Sequence, residues 1–230
     1  MRKSSLAVLL LAALIGATAH AQQYPTRSIR FISPFPPGGG NDTLSRIVGD
    51  RLSEQMGQRI IVDNRPGANT IVGTELLAKS LPDGYTLALL PNTFATNPSF
   101  YPKLPYDTLK DFAAVGQVAQ SPQMLLVHPS LPAKTLKELL ALAKARPGQL
   151  SYGTSGNGSV GHLATLLLST MTGVPFVHVP YKGTAASVTD LMGGHIPLMM
   201  SSMLGTLPHV QAGRLRIIAI TTAQRAKAIP

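Results

Sequence analysis

The chain has 230 residues, with 20 lysines and arginines against 10 aspartates and glutamates, a net charge of +10, 5% aromatic residues and no cysteine. The missing thiols exclude disulfides, thiolate metal sites and thiol catalysis. The positive excess favours anionic partners, but the basic residues are scattered and aromatics are few, so nucleic acid is not an expected partner.

Arg2 and Lys3 precede an apolar run over residues 6–15, and Ala19-His20-Ala21 has the A-x-A form of a cleavage site. Residues 1–21 therefore read as a secretory signal peptide, and the expected location is the periplasm. The apolar run falls short of the roughly twenty residues that a bilayer crossing requires.

Residues 29–33 read as a strand that enters the loop PFPPGGGND at 34–42. A helix follows to Met56, with Leu44, Ile47, Val48, Leu52 and Met56 at helical spacing, Asp42 placed to cap it and Gly57 to end it. Residues 60–62 form a second strand that runs into NRPGA at 64–68. A second helix spans 70–81 and stops at Pro82-Asp83-Gly84, and a third strand at 85–90 delivers Asn92 and Thr93. A proline-interrupted connection covers 97–107, and strand-like segments at 114–119 and 124–128 lead onward. Thr135 and Glu138 form a capping box that opens a helix to Ala145.

The opening pattern then returns. A strand at 150–152 enters GTSGNGS at 153–159, and a helix reaches Met171 with Leu163, Leu166, Leu167, Thr170 and Met171 as its expected buried stripe. A strand at 176–179 enters YKGTA at 181–185, a third at 198–200 delivers Ser201 and Ser202, and 215–221 reads as a last strand. Two similar α/β units predict two lobes facing one another across a ligand cleft. Lobe 1 is expected over 22–123 and lobe 2 over 124–222, with 223–230 starting a return to lobe 1.

Parallel strands deliver their loops to one edge of the sheet, where helix N-termini expose N–H groups suited to a carboxylate. The candidate contacts from the first unit are Gly38, Gly39, Gly40, Asn41, Asp42, Asn92 and Thr93. From the second they are Thr154, Ser155, Asn157, Ser159, His162, Tyr181, Lys182, Gly183 and Ser201, with Lys182 as the well-placed cation. Gly156 to Gly161 spells the dinucleotide motif G-x-G-x-x-G, yet the next strand ends in Pro180-Tyr181-Lys182 and not in an acidic residue. Gly153 to Asn157 misses the serine-hydrolase elbow, because its second glycine comes one place early. His128, His162, His178, His195 and His209 are too scattered for a metal motif. No cofactor or metal is expected, and a binding module leads over an exported enzyme or a ligand sensor.

The segments PFPPGGGNDTLSR, VDNRPGA, PDGYTL, NPSFYPKLPYD, SYGTSGNGS, HVPYKG and LMGGHI resemble the periplasmic solute receptors of tripartite tricarboxylate transporters, also known as Bordetella-uptake-gene proteins. The resemblance runs from Gln22 to Pro230. It implies a non-catalytic Venus-flytrap protein, expected as a monomer, that captures a small carboxylate and presents it to a membrane carrier of one large and one small subunit. It also implies that backbone amides, small polar side chains and waters hold the ligand at Pro37 to Asp42 and at Thr154 to Ser159, which adds Pro37 and Gly158 to the candidates. Citrate, a dicarboxylate, an acidic amino acid and an aromatic acid all remain open as ligands. The chain departs from the resemblance at Ser201, where many relatives carry an acid, at Asn41 in place of threonine, and at Asn69-Thr70 in place of a second glycine-rich stretch. Relatives are expected to continue beyond 223–230, so the chain reads as a fragment with an incomplete, marginally stable first lobe.

Overall fold

A computed structural model describes residues 23–226. The expected signal peptide and the last residues of the expected return lie outside the described residues.

The first sheet holds β1 (Ile29–Ser33), β2 (Ile60–Asn64) and β3 (Thr86–Ala88) in the order β2-β1-β3, all parallel. Phe31 on β1 sits between Val62 and Leu87. The second sheet holds β4 (Gln123–Val127), β5 (Ser151–Thr154), β6 (Val177–Pro180), β7 (Leu198–Ser202) and β8 (Arg216–Ile220) in the order β6-β5-β7-β4-β8. Here β5 is parallel to β6 and β7, while β4 runs antiparallel to β7 and β8. The repeat is therefore topological as well: β2-β1-β3 and β6-β5-β7 are one arrangement used twice. Among the described residues, the antiparallel pair β4 and β8 is added to the second copy alone.

All five β4 residues are buried, and the four from Met124 to Val127 alternate between two apolar clusters. Leu125 and Val127 pack with Leu139, Tyr152, Leu198 and Met200. Met124 and Leu126 pack on the opposite face with Val188, Leu191 and Met199. A strand covered on both faces reads as a continuous apolar run, and the period of two sorts its side chains between the clusters.

Seven α-helices occur among the described residues: α1 (Gly40–Met56), α2 (Ile71–Ala78), α3 (Thr93–Phe100), α4 (Leu136–Ala145), α5 (Val160–Thr172), α6 (Thr184–Met192) and α7 (Leu207–Gln211), with one 3-10 turn at Ala68–Thr70 before α2. Gly57 ends α1 in the left-handed conformation, as expected. On α4, Thr135 accepts from the Glu138 N–H at 3.2 Å, while Glu138 reaches back one place further, to the Lys134 N–H at 2.6 Å.

Several expectations are corrected. Asp42 is not the cap of α1; Gly39 holds that position, and Asp42 lies in the first turn. The inward face of α1 is Asp42, Ser45 and Gly49, with Gly49 facing Ile60 and Val62 at contact distance, whereas Ile47 is 52% exposed. Small residues let this helix lie close on β2, and that closeness turns its larger apolar residues toward the flanks.

The α5 stripe is likewise displaced. Gly161 and Thr165 are buried, and Ala164 and Leu168 pack on the core, while Leu167 is 60% and Met171 76% exposed. An all-round apolar helix leaves the phase of its buried face undetermined by hydrophobicity. Residues 93–100 form a helix with Pro98 inside it, where a connection was expected from Asn97 onward. Residues 114–119 form no strand, since no neighbour offers them a ladder among the described residues.

Candidate ligand-binding cleft

The loops after β1, β3, β5, β6 and β7 converge between the two sheets on a cavity of about 410 Å³. That volume lies in the range of small-molecule sites. Four helices start at its wall: Gly39, Gly40 and Asn41 belong to the start of α1, Asn92 and Thr93 to α3, Val160 and Gly161 to α5, and Thr184 to Ala186 to α6. The N-caps of α1 and α6 make no side-chain capping hydrogen bond, so their first-turn N–H groups stay available and the local potential is positive, whereas on α3 Phe94 and Ala95 already donate to the Pro91 and Asn92 carbonyls. Among the described residues that line this cavity, Lys182 is the one charged side chain. A smaller cavity of about 160 Å³ adjoins it, sharing Ser155 and Lys182 and adding Asn69, Asn157 and Tyr181.

The structure brings many of the predicted residues together and diverts others. Gly39, Gly40, Asn41, Asn92, Thr93, Ser155, Lys182, Gly183 and Ser201 line the larger cavity, and Asn157 and Tyr181 the smaller. Pro37 and Gly38 line neither; both are exposed, and the Gly38 N–H donates to Asp42 at 3.0 Å. Asp42 is taken up by the fold: its carboxylate also accepts from Arg46 at 2.9 Å and from Asn64 at 2.9 Å. Burial alone would raise its pKa, but the bonds from Arg46, Gly38 and Asn64 outweigh it and hold the carboxyl below its ordinary value.

Four second-lobe candidates are also engaged internally. Ser159 caps α5 by accepting from the His162 N–H at 3.3 Å. The Thr154 hydroxyl meets His178 Nε2 at 2.7 Å. His162 accepts the Gly158 N–H at 3.1 Å and stacks on His178 with ring centroids 4.0 Å apart. Burial lowers the pKa of His162, and burial followed by the neighbouring His162 lowers that of His178 to about 4, so this stack is uncharged at neutral pH. Tyr181 donates to Asp190 at 2.7 Å, and burial together with that bond pushes its hydroxyl up to about 12.

Gly158 itself is held between the lobes. Its carbonyl accepts from Thr96 at 2.9 Å and Asn92 at 3.3 Å, and a side chain there would strike Phe100. Gly161 is where α5 crosses β7, tight against the Met200 carbonyl. Sequence reasoning missed Gln123, Thr184, Ser202, Leu204 and Asn69 as lining residues. The repeat could have pointed to Thr184, since YKGTA stands in the second unit where NRPGA stands in the first.

A sequence profile described as the tripartite tricarboxylate transporter family receptor matches residues 44–230. The chain belongs to this family. Protein BugT of Bordetella pertussis is 37% identical over 225 residues, covering 97% of this chain and 69% of the relative. A protein from the tcbD-tcbE intergenic region of Pseudomonas sp. strain P51 is 35% identical, covering 90% of this chain and 62% of its own length. Among solved structures, Rpa4515 of R. palustris with adipate superposes with a TM-score of 0.86 at 39% identity, covering 88% of this chain and 68% of that one. MatC from Rhodopseudomonas palustris with bound malate gives 0.79 at 28% identity, covering 88% and 69%. The family receptor thus spans about two-thirds of the length of these relatives. The likeness gives the periplasmic-binding-protein fold with its cleft between two α/β lobes. Family members are receptors, and the enzyme alternatives fall away.

Proposed function

We propose that the chain is a periplasmic solute receptor, exported by residues 1–21, that closes on a small organic acid and delivers it to a tripartite tricarboxylate-type membrane transporter. The observation that carries this reading is the cavity wall: uncapped helix N-termini and Lys182 face it, and no acidic side chain is among its described lining residues. Such a wall favours a carboxylate and disfavours a ligand ammonium, because an ammonium would find no counter-charge. The adipate and malate held by two relatives, both dicarboxylates, point the same way. The lobes are proposed to divide near residue 123, where β4 enters the second sheet.

Isothermal calorimetry of the purified chain against adipate, malate, citrate and glutamate tests the reading. Binding of a dicarboxylate is expected, together with a loss of about tenfold for Lys182→Ala, the size of a charge-assisted hydrogen bond. Binding that prefers glutamate over the amine-free acids, or that ignores Lys182, would count against it.

A further inference from the structure

The residues Ala68, Asn69 and Thr70 form a run of three consecutive non-glycine residues in the left-handed region, with φ of 43, 53 and 76°. Asparagine tolerates that region, but a β-branched threonine there is a conformational outlier. Backbone of this kind persists where its surroundings over-determine it. Here they do so from within the first lobe. Asn97, fully buried on α3, donates to the Asn69 carbonyl at 3.1 Å and accepts from Asn69 Nδ2 at 2.9 Å. Thr70 meets Thr93, hydroxyl to hydroxyl, at 3.2 Å, and Thr74 donates to the Thr70 carbonyl at 2.9 Å.

The Asn69 amide has a second hydrogen, and it crosses the cleft. Nδ2 donates to the Asn157 carbonyl of the second lobe at 2.8 Å. Beside it, Thr96 on α3 and Asn92 at its N-cap donate to the next carbonyl, Gly158, at 2.9 and 3.3 Å. We propose that Asn69 is a positioning residue for ligand capture: pre-aimed by Asn97, it latches the Asn157–Gly158 edge of lobe 2 and biases the empty receptor toward the closed cleft. Its donor is oriented before the lobes meet, so closing immobilises little that was free. The latch is built from neutral amides, a hydroxyl and carbonyls, so its strength is insensitive to salt.

The chain lacks cysteine, so Gln55→Cys on α1 and Lys144→Cys on α4, both at exposed positions, give a unique pair for spin labels. Inter-lobe distances are measured on the full chain without ligand, alongside thermal unfolding. Asn69→Gly keeps the left-handed turn and removes the latch. It is expected to lower the ratio of closed to open molecules about fivefold, the worth of one hydrogen bond. Thr96→Val is expected to do the same without touching the turn. If Asn69→Gly fails to fold, the distance distribution of Thr96→Val decides alone. A lower melting temperature with unchanged distances in both variants would make Asn69 a residue of the turn only and overturn the proposal. No ligand enters the measurement, so its failure leaves the carboxylate reading standing, and the reverse holds too.

Discussion

The second sheet lies between two apolar clusters, whereas the first sheet, with Ile29, Phe31 and Ile32 buried on its central strand, packs on one face against a helix whose inward face is Asp42, Ser45 and Gly49. One strand order is thus held together in two ways. Lobe 2 relies on area removed from water, which is strong and indifferent to direction. Lobe 1 relies on directed bonds: Asp42 to Gly38, Arg46 and Asn64, Ser33 to Asn41, and Asn97 to Asn69. Directed bonds fix loop geometry, and they fail sharply when one partner is lost.

Truncations in the two lobes separate these modes. Leu126→Ala, at a fully buried position in β4, is expected to cost about 2–5 kcal/mol by chemical denaturation. Asp42→Ala should cost about 1–3 kcal/mol by removing the charge-assisted bonds that the carboxylate accepts from Gly38, Arg46 and Asn64. An Asp42 loss matching that of Leu126 would erase the contrast.

Acid titration sharpens it further. The His178 pKa is depressed from 6.5 to about 4, so its contribution is complete above the unfolded value and is lost as pH falls through the folded one. Stability should drop by about 1–2 kcal/mol between pH 6.5 and roughly pH 5, and His178→Phe should flatten that slope. Asp42, also depressed, acts at lower pH: its contribution is present above the ordinary carboxylate value and disappears as pH falls below it. Urea melts across this range show whether the two steps separate. The smallest effect is expected on the outer face of α5, where Leu167→Glu should stay within about 0.5 kcal/mol; a larger loss would mean that this face is covered.

The repeated α/β unit was legible because strands and helices alternate there with small-residue loops at regular intervals, whereas the order of strands within each sheet was not read from the sequence. The loops were legible as a site for the same reason, and Gly40, Asn41, Ser155 and Lys182 do line one cavity. What hid was the identity of the packed face on α1 and α5. There the buried residues are Ser45, Gly49, Gly161 and Thr165, chosen for closeness to the sheet, and an apolar pattern cannot report closeness. Asp42, Ser159 and His162 hid for a related reason: each satisfies a backbone N–H nearby, a role that composition alone does not distinguish from ligand contact. The reach of Asn69 across the cleft needed the two lobes in place, since its partner lies 88 residues away.

Each glycine of the G-x-G-x-x-G loop is pressed by a different neighbour: Gly156 by the Asn69 side chain, Gly158 by Phe100 and Thr96, and Gly161 by the Met200 carbonyl. In a nucleotide-binding protein, one spacing would be set by a pyrophosphate and a helix. Here three separate stretches of the protein's own chain set it. Pattern searches that score those letters register only that something comes near the backbone, so the same string can evolve as a record of self-contact and be mistaken for an address to a coenzyme.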